Sequence, residues 1–226
     1  MTAYSHVFKK AHTFLAVIHV VDAKQVMRNV HIARRNGADG VFLINHDVDV
    51  AYLLDCYDQV RSRHTSYWIG LNLLGKSALD ARTLIPENAS GLWTDNAGIH
   101  DDHIVDDAFE MRKRNSRWSG VYFGGVAFKH QQPVKNLEAI ARRAAPYVDV
   151  ITTSGDATGE APMVEKIREL RHGAGNHPIA IASGMTPDNV RDFMPYANCF
   201  IVATGISNSH SELNASLVKK FSHALQ

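Results

Sequence analysis

The sequence predicts one (β/α)8 barrel, and three observations predict it. Eight short apolar runs start near positions 14, 40, 68, 91, 120, 149, 179 and 200, so they recur every 21 to 30 residues. Between them lie stretches whose apolar residues repeat at helical spacing. No linker, low-complexity tract or Pro/Ser-rich break interrupts the alternation, so all 226 residues read as a single domain. Regular strand–helix alternation makes the strands parallel, and eight of them can close on themselves. An open doubly wound sheet is the competitor. It wants a G-x-G-x-x-G turn after its first strand, and His19 to Asp22 offers none.

Residues 1–12 are expected as a short helix or arm lying across one end of the barrel. Phe14–Val20 forms the first strand, and Asp22 starts a helix through Val26, Met27, Val30 and Ala33 that ends at Gly37. Gly40–Asn45 is the second strand, followed by a helix carrying Val50, Leu53, Leu54, Tyr57 and Val60. Trp68–Leu73 is the third, and Ser77 caps a short helix that stops before Pro86. Gly91–Asn96 is the fourth. Ile104, Val105, Ala108 and Phe109 mark the next helix, with Asp101 and Asp102 in its first turn, where carboxylates are favoured.

Gly120–Lys129 is the fifth strand, interrupted by a Gly-Gly pair that marks a bulge or a close contact. Pro133 opens a helix with Leu137, Ile140, Ala141 and Ala144 inward. Asp149–Thr153 is the sixth strand, and Pro162 opens a helix with Met163, Val164, Ile167 and Leu170 inward. Ile179–Ala182 ends at Ser183-Gly184, and Thr186-Pro187 opens the following helix. Phe200–Ala203 is the eighth strand and stops at Thr204-Gly205; Leu213, Leu217 and Phe221 mark the last helix.

Composition narrows the function. Apolar residues make up 45% and charged residues 21%, with a net charge of +1, so no general attraction to nucleic acid or to an anionic membrane is implied. No apolar run is long enough to span a bilayer, the N-terminus lacks a signal-peptide core, and a cytoplasmic location is expected. Cys56 and Cys199 read as reduced, structural thiols. The 13 histidines show neither HxH nor HExxH spacing and read as scattered. No metal set is assigned and no cofactor is required, although a divalent metal remains compatible.

In a closed barrel the residues ending the strands share one cavity. The Ser183-Gly184 and Thr204-Gly205 turns are the candidate phosphate site: glycine lets backbone approach an anion, amides donate, and a helix N-terminus adds positive potential. Lys129 is a candidate to neutralise a phosphate or carboxylate, or to act as base or imine-forming amine; alternatively it pairs with Asp95 or Asp156. Asp95 reads as general base, metal ligand or loop cap. Asp156 reads as acid/base or as turn chemistry within SGDATGEAP, a small-residue segment that reads as a substrate-facing loop with Ser154, Thr158 and Gly159. His19 reads as acid/base or as a hydrogen-bonded core residue. Asn45 and Asn72 either fix ligand hydroxyls or satisfy loop backbone. No Ser-His-Asp spacing, Walker sequence or CxxC supports a hydrolase, NTPase or dithiol reading.

Several segments together resemble the BtpA family, named for a factor in photosystem I biogenesis and including SgcQ-type proteins. They are AVIHV, GADGVFLIN, IGLNLLG, FKHQQPV, DVITTSGDATGEAPMVEKIREL and IASGMTPDNV followed by FIVATGIS, in that order along most of the chain. The resemblance implies a barrel related to phosphate-binding barrels. It places Asn45, Asn72, Lys129, Asp156, Thr158, Gly159, Ser183, Gly184 and Asn189 on motif positions. The chain departs from the family in a short loop after the first strand and in Ile44-Asn45, where the family tends to carry Glu-Asn. The expected activity is an isomerase, lyase or glycosyl-transfer step on a phosphorylated sugar or nucleotide-like metabolite, in a possible homo-oligomer. A non-catalytic assembly factor that keeps the anion site is the alternative.

Overall fold

Eight parallel strands close into a ring in sequence order: β1 (Thr13–His19), β2 (Gly40–Ile44), β3 (Trp68–Asn72), β4 (Gly91–Thr94), β5 (Val121–Gly125), β6 (Val150–Thr153), β7 (Ile179–Ile181) and β8 (Cys199–Val202). The last strand pairs with the first, Thr13 opposite Cys199 through Ala16 opposite Val202, which closes the barrel. The structure, a computed structural model, describes residues 3–113 and 118–226.

Strand residues alternate between two apolar clusters. Leu15, Val17, Phe42, Trp93, Phe123 and Ile201 fill the barrel interior. Phe14, Ala16, Ile18, Leu43, Ile69 and Phe200 pack outward against the helices. This period of two on strands buried on both faces is why the strands read as continuous apolar runs. Cys199 belongs to the inner set and Cys56 to the outer, both buried and unpaired.

The helices are α1 (Ala3–Val7), α2 (Ala23–Arg35), α3 (Val50–Arg63), α4 (Ala78–Leu84), α5 (Asp106–Lys113), α6 (Leu137–Ala144), α7 (Val164–Ala174), α8 (Val190–Phe193) and α9 (Ala215–Ala224). Side-chain caps set several starts. Asp22 accepts from the Gln25 amide at 2.8 Å, Asp49 from Tyr52 at 2.8 Å, Ser77 from Asp80 at 3.2 Å and Asn214 from Leu217 at 3.0 Å. α1 lies against the strand starts: Tyr4 Oη is 2.8 Å from Thr13 Oγ1 and 2.9 Å from the Asn198 carbonyl. Among the described residues, no helix is long and apolar enough to cross a membrane.

Several boundaries differ from expectation. Asp106 and Asp107, not Asp101 and Asp102, occupy the first turn of α5; Asp101 instead accepts from the Lys135 amide at 2.7 Å. Pro133 does not open α6, because Asn136 caps it through the Ala139 amide at 2.9 Å. Pro162 lies two residues before α7, and Met163 is 73% exposed rather than inward. Leu213 precedes α9 and bridges to Ser207. β4 stops at Thr94 and β5 at Gly125, short of the Asn96 and Lys129 ends read from the sequence. The Gly-Gly pair is a close contact: a Cβ on Gly125 would lie 2.1 Å from the Asp95 carbonyl oxygen. Beyond it the chain turns sharply, with φ of 49° at Ala127 and 65° at His130.

Candidate functional site

The C-terminal ends of the strands enclose a cavity of about 530 Å³. Seven of the residues read as site candidates line it: His19, Asp95, Lys129, Ser183, Gly184, Thr204 and Gly205. Thr158 and Gly159 reach the cavity from the loop after β6. A larger cavity of about 950 Å³ lies at the opposite end of the barrel, beside Lys10, Arg61 and Trp68. It is bounded by strand starts, and its main cation is consumed internally: Arg61 donates to Tyr57 Oη at 3.0 Å, the Tyr67 carbonyl at 2.8 Å and Ser90 Oγ at 2.9 Å.

Four candidates do not line the cavity. Asn45 accepts from the Leu74 amide at 2.7 Å and so ties the loop after β3 to β2. Asn72 is buried and donates to Asp95 Oδ1 at 3.2 Å, which orients that carboxylate. Ser154 is buried, accepts from the Lys129 amide at 2.8 Å and donates to the Gly155 carbonyl at 2.8 Å. Asp156 is exposed, and its charge acts on Lys166. Asn45, Asn72 and Ser154 tie the loops together; they lie at strand ends, which is why sequence position alone did not separate them from the lining groups.

Lys129 Nζ donates to Thr158 Oγ1 at 2.9 Å, which leaves further N–H donors at the cavity. It makes no close ion pair with Asp95 or Asp156 among the described residues. The Asp95 carboxyl is raised above its ordinary value by burial, partly offset by the Asn72 hydrogen bond and the Lys129 charge. Gln131 Nε2 clips the Asp95 carbonyl at 2.7 Å, fixing the backbone that carries it. The His19 imidazole is lowered to about 4 by burial and by neighbouring His210 and His46.

The two anion corners differ in detail from expectation. Ser183 Oγ donates its proton to the Ala157 carbonyl at 3.1 Å, so it has no proton to give an anion. Donation falls to the backbone: among the described residues, no protein acceptor takes the N–H of Gly184 or Gly205. Gly184 sits at φ 64°, and a Cβ there would lie 2.0 Å from the Ala161 amide nitrogen. A Cβ on Gly205 would lie 2.1 Å from the Met185 carbonyl oxygen. Glycine is therefore required at both corners. The expected helix after Thr186-Pro187 begins only at Val190 and is four residues long, so it adds little dipole. Thr186 and Asn189 instead bond reciprocally, the Thr186 amide to Asn189 Oδ1 at 2.9 Å and the Asn189 amide to Thr186 Oγ1 at 3.3 Å. Asn189 Nδ2 also holds the Gly184 carbonyl at 2.9 Å, so it shapes the corner without lining the cavity.

Sequence reasoning missed Lys166, His46 and His210. Lys166 Nζ donates to the Ala127 and Ser154 carbonyls, each at 2.7 Å, and straps the β5 and β6 loops together. Its place on α7 resembles any solvated helical lysine. The histidines were read as scattered; the fold instead brings His19, His46 and His210 together at the cavity mouth. His46 and His210 are 164 positions apart, so no local spacing reveals them.

The sequence profile of the BtpA family matches residues 88–225. The chain belongs to the BtpA family. No curated protein sequence matches it. Among solved structures, it is similar to (S)-3-O-geranylgeranylglyceryl phosphate synthase from Thermoplasma acidophilum, solved with its substrate sn-glycerol-1-phosphate. That likeness has 12% identity, 100% of this chain, 98% of that one and a TM-score of 0.69. It is also similar to tryptophan synthase subunit alpha from Legionella pneumophila, with 12% identity, 100% and 98% covered and a TM-score of 0.70. A third likeness is to phosphoribosyl anthranilate isomerase from Thermus thermophilus, with 12% identity, 94% and 98% covered and a TM-score of 0.67. At such identity these likenesses show the barrel fold and nothing finer.

Proposed function

We propose that this BtpA-family barrel is a cytoplasmic enzyme acting on a phosphorylated sugar or nucleotide-like metabolite. One observation carries the reading: two glycine corners with unspent amides face the same cavity as Lys129 and Asp95. The Gly184 and Gly205 amides hold phosphate, as loops after the seventh and eighth strands often do in such barrels. Lys129 neutralises negative charge that develops on the substrate. Asp95, with its raised pKa, is better matched to proton transfer near neutral pH than an ordinary carboxylate. The chemistry is an isomerase, lyase or glycosyl-transfer type of step. The glycerol-phosphate complex of the Thermoplasma acidophilum synthase, a barrel of the same fold, is consistent with this class of ligand.

A thermal-shift panel of phosphosugars and nucleotides tests the reading. A true ligand at about 100 times its dissociation constant stabilises the fold by roughly 2.7 kcal/mol. The Lys129→Met variant keeps the fold and loses turnover of that ligand. No shift with any member, together with stable co-purification of a protein partner, overturns the enzyme reading in favour of a non-catalytic assembly factor.

A further inference from the structure

His19 ends β1, His46 follows β2 by two residues, and His210 sits in the loop between β8 and α9. One ligating atom from each lies within 4.8 Å of the others. Their ring centroids are 4.0 Å apart for His19 and His210, 5.5 Å for His19 and His46, and 5.2 Å for His46 and His210. Two further observations point to a ligand. His19 Nδ1 is buried with no hydrogen-bond partner. Asp47 lies beside the cluster, 2.9 Å from His210 Nε2 and 3.7 Å from His46 Nδ1. A carboxylate holding one imidazole nitrogen fixes the ring and its tautomer and leaves the other nitrogen to a metal.

We propose that His19, His46 and His210 form a site for a first-row divalent cation, with Zn²⁺ the best fit, at the mouth of the cavity formed by the strand ends. Three neutral imidazoles suit a borderline cation better than Mg²⁺ or Ca²⁺, which take oxygen ligands. Tetrahedral Zn²⁺ with nitrogens at about 2.0–2.1 Å needs them about 3.3 Å from one another. His46 and His210 have side chains 55% and 52% exposed on loops, so small rotations close the set. Three protein nitrogens leave a coordination position open, as in catalytic rather than structural sites. That position faces a cavity also lined by Thr204 and Gly205. The site stands independently of the phosphate reading.

Chelator-stripped, tag-free protein is titrated with Co²⁺ and then Zn²⁺. One saturable equivalent is expected, with visible Co²⁺ bands of a low-symmetry, imidazole-ligated ion that Zn²⁺ displaces. His46→Asn and His210→Asn change half-exposed side chains, so the metal-free fold and its Tm stay as in the parent. Each weakens Zn²⁺ by at least tenfold, and Asp47→Asn weakens it about 10- to 100-fold. Absence of saturable binding, or unchanged affinity in either histidine variant, overturns the site. Lys129→Met loses the phosphometabolite response and keeps the Zn²⁺ titration, which separates failure of this site from failure of the proposed function.

Discussion

The two ends of the barrel each hold a cavity, and the larger one is the less promising. At the strand starts, Arg61 is 8% exposed and its guanidinium is spent on backbone carbonyls, Tyr57 and Ser90. Tyr4, Phe8, Trp68 and Phe123 pack against one another at the same end, with Phe123 edge to face on Tyr4 and Trp68. Trp68 Nε1 is a buried donor without a partner there, and the exposed Lys9 and Lys10 each spend one donor within the fold. At the strand ends, by contrast, the unspent groups are several and converge: two glycine amides, His19 Nδ1, Trp93 Nε1 and the remaining donors of Lys129. Binding capacity follows unused hydrogen-bonding groups and not volume, because a group already paired inside the fold gains little from a ligand.

The largest effect that sharpens this contrast is expected at Asp95. Asp95→Asn lowers turnover of a phosphometabolite substrate about 10²- to 10⁴-fold, measured by steady-state kinetics. The parent loses activity on the acid side at a pH above the usual carboxylate range, and the variant lacks that limb. The sign for stability is opposite to that of a paired carboxylate. With its folded-state pKa raised, native Asp95 holds a proton that the unfolded chain has released, so stability falls as pH rises through that window. Urea melts of Asp95→Asn do not show that fall.

Arg61→Met is expected to reverse the pattern, with stability lost and function kept. It strips a cation from several buried acceptors at once and costs about 3 kcal/mol, read as a denaturant midpoint, while ligand affinity at the other end stays constant. Gly184→Ala touches both properties. Its positive φ and the Ala161 contact cost about 2 kcal/mol, and ligand affinity falls with it in a calorimetric titration. Thr158→Val is the smallest change. It removes one exposed contact of Lys129 and leaves stability within about 0.5 kcal/mol, with ligand affinity only mildly reduced.

Most of the barrel was legible in the sequence because strands buried on both faces leave unbroken apolar runs, such as Gly40–Ile44, and acids or hydroxyls such as Asp22 and Ser77 cap the helices. What misled were prolines 133, 162 and 187, which precede the helices without opening them. Within the site, Gly184 and Gly205 were legible as glycine turns, but which hydroxyls kept a proton to give was not. Ser183 gives its proton to Ala157, a residue 26 positions away, and only the folded loop shows it. Ser154 and Asn72 were indistinguishable from lining residues because every strand end carries a polar group, and three of these, Asn45, Asn72 and Ser154, are bonded to neighbouring segments and do not line the cavity. The histidine cluster needs one strand end and two loops brought to one mouth, which no local spacing encodes.

Titration of inorganic phosphate into ¹⁵N-labelled protein tests most directly whether the unspent amides are where anions bind. The account predicts saturable shifts of the Gly184 and Gly205 amide resonances while those of Arg61, Ser90 and Lys10 stay fixed. Shifts confined to the Arg61 end, or none at either glycine, would contradict it.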